Sequence, residues 1–110
     1  MDASTDSNRE VAQDELEEYN KAIAYYIKAI DLDLTDAIAY FIRGNARYNL
    51  GQYNEAIADF TTAIELNPTY ADAYNNRGIA QNNIGKYNEA IADYTKAIEL
   101  NPTYAYAYNN

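Results

Sequence analysis

Apolar residues recur at three- and four-residue intervals along nearly the whole chain, the spacing of helices that bury one face. From Arg9 the first run is Val11, Leu16, Tyr19, Ile23, Tyr26, Ile27 and Ile30, with Ala22 and Ala29 between them. Further runs predict helices over about 37–49, 54–66, 71–83 and 88–100. Gly51 and Gly85 suit the left-handed position that ends a helix. Asn67-Pro68 and Asn101-Pro102 stop the helices before them, because proline drives the preceding residue out of the helical region. Thr69 to Asp72 has the form of a capping box for the helix that follows. Residues 1–8 lack periodicity and are expected to be disordered.

The pattern repeats. Residues 37–70 and 71–104 align without gaps and are identical at 24 of 34 positions. A fixed period of this length marks a stack of similar units. Residues 9–36 read as a degenerate first unit. Tyr19 to Ala24 parallels Tyr53 to Ala58, but Glu10 stands where the later units have Gly44 and Gly78, and Glu17 where they have Gly51 and Gly85. Without a glycine stop, this unit is expected either as two helices or as one helix from about Arg9 to Asp33. Residues 105–110 restart the pattern of 71–76.

These landmarks resemble the tetratricopeptide repeat family. The early aromatic is Tyr40 and Tyr74, and the small residue is Gly44 and Gly78. The trio of the second helix is Ala56, Phe60, Ala63 and Ala90, Tyr94, Ala97, and the proline is Pro68 and Pro102. The resemblance implies an all-α fold, a right-handed solenoid of antiparallel helix pairs. Arg43 and Arg77 stand where the family usually has Leu, so their stems are expected to lie along the surface with their heads in water. Asp59 and Asp93, which recur at the repeat period, read as solvated helix faces.

Charge narrows the partners. The net charge is −9. Residues 1–36 hold ten acids against three cations, while each 34-residue unit carries only −1. Nucleic acid and anionic membrane both need a basic face, so neither is an expected partner. The acidic end reads as a solubilising cap. No stretch is apolar for long enough to span a membrane, and the polar start has no signal-peptide core, so a cytoplasmic protein is expected.

Little catalytic chemistry is available. The chain has no His and no Cys, and its only serines are Ser4 and Ser7. No nucleophile–base constellation can be named, so no enzyme is expected. The stretch Asp31-Leu32-Asp33-Leu34-Thr35-Asp36 superficially resembles the start of a calcium loop, but Asp36 stands at its sixth place where Gly is required and Ile42 occupies the twelfth. No metal or cofactor site is expected.

The resemblance places the functional surface on the concave side, at set positions of each first helix. These are Ile38, Phe41, Asn45, Tyr48 and Asn49 in one unit and Asp72, Asn75, Ile79, Asn82 and Asn83 in the next, with Tyr106 and Asn109 beyond. Such a surface implies a peptide segment of a partner protein, because Asn offers a donor and an acceptor to a peptide backbone. Family members that bind chaperone tails clamp a carboxylate with two Asn and three cations. Asn45 and Asn76 match, but Phe41, Tyr106 and Asn110 stand at the cation positions. The alternative expectation is a self-assembling module, a homodimer through the C-terminal face with Tyr104, Tyr106 and Tyr108 in the contact.

Overall fold

The computed structural model describes residues 3–103, with side chains from Val11 onward. Its helices are α1 (Ala3–Leu32), α2 (Ala37–Asn49), α3 (Tyr53–Leu66), α4 (Ala71–Asn83) and α5 (Tyr87–Leu100). No strand occurs among the described residues. Each helix packs on its neighbours in sequence, which makes antiparallel pairs stacked into a solenoid.

α1 is one helix of 30 residues, about 45 Å long at 1.5 Å per residue. It starts at Ala3, so residues 3–8 continue the helix where disorder was expected. Neither Gly nor Pro occurs upstream of Gly44, so nothing in that stretch breaks the helical backbone. By register, residues 3–15 are a first helix, fused to the second helix of their own unit.

The later units turn where glycine allows it. Gly51 has φ of 79° and Gly85 of 82°. Gln52 N donates to Arg47 O at 2.8 Å and Gly51 N to Tyr48 O at 2.9 Å, the paired bonds that close a helix on a left-handed residue. Lys86 and Gly85 repeat them on Gln81 and Asn82.

The second type of turn corrects one expectation. Tyr70, not Thr69, is the N-cap of α4, and it makes no side-chain capping bond. The Thr69 hydroxyl donates instead to Asn67 Oδ1 at 3.0 Å, which also accepts from Thr69 N. Asn101 and Thr103 form the same local turn. Between α1 and α2 Asp33 takes the asparagine's place, accepting from Thr35 N at 3.0 Å and Thr35 Oγ1 at 2.6 Å. Those bonds favour its charged form and lower its pKa. Asp36 caps α2 by accepting from Ala39 N at 3.1 Å. Asp33 and Asp36 thus serve turn and cap. Among the described residues, no group of three or more His, Cys, Asp or Glu could hold a metal ion.

The core is built from small residues against rings. Ala56, Ala63, Ala73, Ala90 and Ala97 are buried, and Phe60 is fully enclosed. Burying such a ring contributes roughly 1.5–3 kcal/mol. A Cβ at Gly44 would sit 2.7 Å from Phe60 Cε1, and one at Gly78 2.7 Å from Tyr94 Cε1. Glycine is therefore what lets the paired helices approach.

Between the helices of each pair lies a buried ion pair, contrary to the expectation of solvated groups. Asp59 is only 3% exposed and Asp93 only 6%. Arg43 Nε and Nη2 donate to the two carboxylate oxygens of Asp59 at 2.9 and 2.6 Å, and Arg47 Nη1 adds a bond of 3.1 Å. Arg77 Nε and Nη2 grip Asp93 in the same way. The guanidinium groups also lie over the Tyr40 and Tyr74 rings, 5.5 and 5.6 Å from their centroids. Hydrogen bonding to the carboxylate raises the pKa of both arginines against the opposing effect of burial. The arginine heads turn inward because a carboxylate sixteen residues on comes to face them across the pair.

Candidate functional site

α2 and α4 lie side by side, and asparagines join them. Asn76 Nδ2 donates to Asn45 Oδ1 at 2.8 Å, and Asn83 Nδ2 donates to Tyr48 Oη at 2.9 Å. Asn83 Nδ2 also reaches Ile79 O of its own helix at 2.9 Å, and Asn75 Nδ2 donates to Asn76 Oδ1 at 3.2 Å. Residue number rises in the same direction along both helices in these cross-links, so α2 and α4 run parallel.

Their side chains enclose a cleft of about 270 Å³, lined by Asn45, Tyr48, Asn49, Phe60, Asn76 and Ile79. Phe60, from α3, closes its floor. Tyr48 stands against Tyr53, with ring centroids 5.4 Å apart. Among the described residues, no charged group lines the cleft. The wall offers amide donors and acceptors, and the floor is apolar.

The structure thus brings four of the expected groove residues to one place: Asn45, Tyr48, Asn49 and Ile79. Asn83 ties into the rim through Tyr48. Asn75 is half-buried behind Asn76, and Asn82 is exposed on the last turn of α4. Ile38, 61% exposed, and Asp72 lie on the first turns of α2 and α4, outside the cleft lining. Tyr106 and Asn109 lie outside the described residues. Phe41, expected on the groove face, packs with the core instead, 5.9 Å from Phe60 and 4.9 Å from Tyr70 between ring centroids. Aromatic burial outweighs exposure there because two rings are within reach. Asn76 and Phe60 are lining residues absent from the expected set. Their landmark status, one as a clamp asparagine and the other as the core aromatic, was the available signal.

Comparison with known proteins fits this architecture. The profile of a TPR repeat matches residues 44–85, and profiles of the tetratricopeptide repeat match 12–57 and 71–104. Among solved structures, MamA is 38% identical over 82% of this chain, with a TM-score of 0.78. The chain spans about half of that protein, 53%. The first TPR domain of Spaghetti (RPAP3), bound to the HSP90 peptide SRMEEVD, is 32% identical over 89% of this chain and 75% of that one, with a TM-score of 0.77. YrrB, described as a TPR protein with an unusual peptide-binding site, is 31% identical over 79% of this chain and 45% of that one, with a TM-score of 0.73. Comparison with curated protein sequences returns no match. The chain belongs to the tetratricopeptide repeat family. It has the fold of a protein-interaction scaffold, and two of its structural neighbours are described as peptide binders. No helix among the described residues is long and apolar enough to cross a membrane.

Proposed function

We propose that the protein is a non-catalytic scaffold that holds a peptide segment of a partner protein in the cleft between α2 and α4. One observation carries this reading: an uncharged cleft with an apolar floor and amide walls, open on the face shared by two parallel helices. Asparagine walls can pair with both the N–H and the C=O of an extended chain. In this reading Asn82, Asn75, Asp72 and Ile38 extend the contact along α2 and α4. Catalysis has no part in it, since the buried carboxylates Asp59 and Asp93 are held by arginines. In this reading the protein works in the cytoplasm on a protein or peptide partner and binds neither nucleic acid nor membrane. The test is calorimetry on peptides selected by display against the intact chain. Asn45→Ala with Asn82→Ala should weaken binding severalfold while the thermal melt stays cooperative, and unchanged affinity would retire the reading.

A second reading, self-association through α5, is favoured by Ile91, which is 61% exposed. The equivalent Ile57 is half-buried. In this reading Ile91→Asp abolishes a concentration-dependent dimer seen by light scattering. A chain that stays monomeric across a hundredfold concentration range ends it.

A further inference from the structure

The charge around the cleft also selects the chemistry of the peptide, an inference that rests on the peptide reading itself. The cleft lies toward the C-terminal halves of α2 and α4, which point the same way. Each helix end carries roughly half a negative charge. No basic residue stands in the last turn of α4, and the one in the last turn of α2, Arg47, is turned inward onto Asp59. Arg43 and Arg77 are likewise tied to Asp59 and Asp93. Lys21 and Lys96 lean on Glu17 and Glu99. At the α2 end, Glu15 shares a neighbouring hollow with Asn49. Lys86 follows α4 past Gly85 but does not line the cleft. Among the described residues no cation lines the cleft, which faces two helix C-terminal halves with Glu15 nearby.

Its volume is just below the range of small-molecule pockets, about 300–1,000 Å³. That is room for a side chain or two, and Ile79 and the Tyr48 ring, above the enclosed Phe60, suit an apolar one. Asn45 Nδ2 has no partner among the described residues and is free to donate to a peptide carbonyl.

We propose that the cleft takes an extended peptide with an apolar anchor residue flanked by Lys or Arg, the basic side chains lying toward the C-terminal ends of α2 and α4. An acidic peptide such as the one bound by the Spaghetti domain would meet repulsion here and no cationic clamp.

The experiment compares three fluorescein-labelled peptides by anisotropy with the intact chain. One has a central Leu flanked by Lys, the second a central Leu flanked by Glu, and the third keeps the Lys flanks with Ser in place of Leu. NMR amide shifts locate the binding. The first peptide should bind on the order of tenfold tighter than either other at low salt, with shifts centred on Asn45, Asn76 and Asn83. The advantage over the Glu peptide should shrink in about 0.5 M salt and be reduced by Asn49→Lys. If the Glu peptide binds equally well at the cleft, the charge inference falls and the peptide reading stands. Equal binding of the Ser peptide reduces the effect to general attraction and overturns the anchor. Shifts confined to α1 or α5, or no binding by any peptide, overturn both.

Discussion

Arg77 holds Asp93 by two parallel hydrogen bonds of 2.7 Å each, across the contact between α4 and α5. Both groups are largely removed from water, with side-chain exposures of 19% and 8%. Removing one member leaves a buried charge without its partner, while replacing both by apolar groups does not. Asp93→Ala should therefore destabilise by about 3–5 kcal/mol. The double change Arg77→Leu with Asp93→Ala should recover most of that loss. Urea unfolding of the two variants decides it, and a double variant weaker than Asp93→Ala would contradict the argument.

Asp59 has two arginines where Asp93 has one, because Gln81 stands at the register of Arg47. Gln81 is buried, and its Oε1 has no hydrogen-bond partner. An orphaned buried acceptor costs about 1–3 kcal/mol. Gln81→Arg copies the first pair and should raise stability by about 1 kcal/mol. Thermal melting checks this, and a lower midpoint than the parent would count against it.

Gly44 and Gly78 face rings at the same distance, but the rings differ in freedom. Phe60 is fully enclosed, whereas Tyr94 is half-buried. Alanine in a helix gains about 1 kcal/mol over glycine, against an overpacking cost of about 1–3 kcal/mol. Gly44→Ala should be net destabilising by about 1–2 kcal/mol, and Gly78→Ala, whose Cβ would also meet the Ala90 carbonyl oxygen at 3.2 Å, destabilising by less. Paired denaturation curves read the difference, and the reverse order would mean that Phe60 is the more mobile ring.

Tyr70 and Tyr94 are shifted upward by burial, with nearby charged groups adding to the effect. Their folded pKa lies above the ordinary value of about 10, so the unfolded chain loses these protons first. The stabilisation is complete below about pH 10 and disappears as pH rises through the folded values. The melting midpoint should hold to that point and then fall. Tyr70→Phe with Tyr94→Phe should flatten the alkaline fall in a pH series of melts.

The helical stack was legible because its signals are local and repeated. Glycine at 51 and 85, proline at 68 and 102, and apolar spacing placed four helices within a residue of where they lie. The missing glycine at Glu17 left open the fusion that α1 displays. What escaped depended on groups far apart in sequence. Nothing local distinguishes Asp59 from an exposed helix carboxylate, and its burial follows from Arg43 arriving across the pair. Phe41 sits at a groove position by register, yet Tyr70, twenty-nine residues on, draws it inward. Thr69 fitted a capping pattern, and only the nearness of Asn67 Oδ1 redirects its hydroxyl. In the cleft, register supplied the positions, while the cross-helix asparagine bonds needed the structure.

Each described helix touches only its neighbours in sequence, apart from the contact of α2 with α4. A chain built this way unfolds from its ends, since its stability is a sum of neighbouring terms. Amide exchange should be slowest in α2, α3 and α4, each flanked on both sides, and should quicken toward α1 and α5. A peptide lying across α2 and α4 would couple second neighbours through a path the bare chain barely has. Occupancy would then act as a staple over the centre, synchronising the opening of units that otherwise fray one by one, and the melt would sharpen as well as shift.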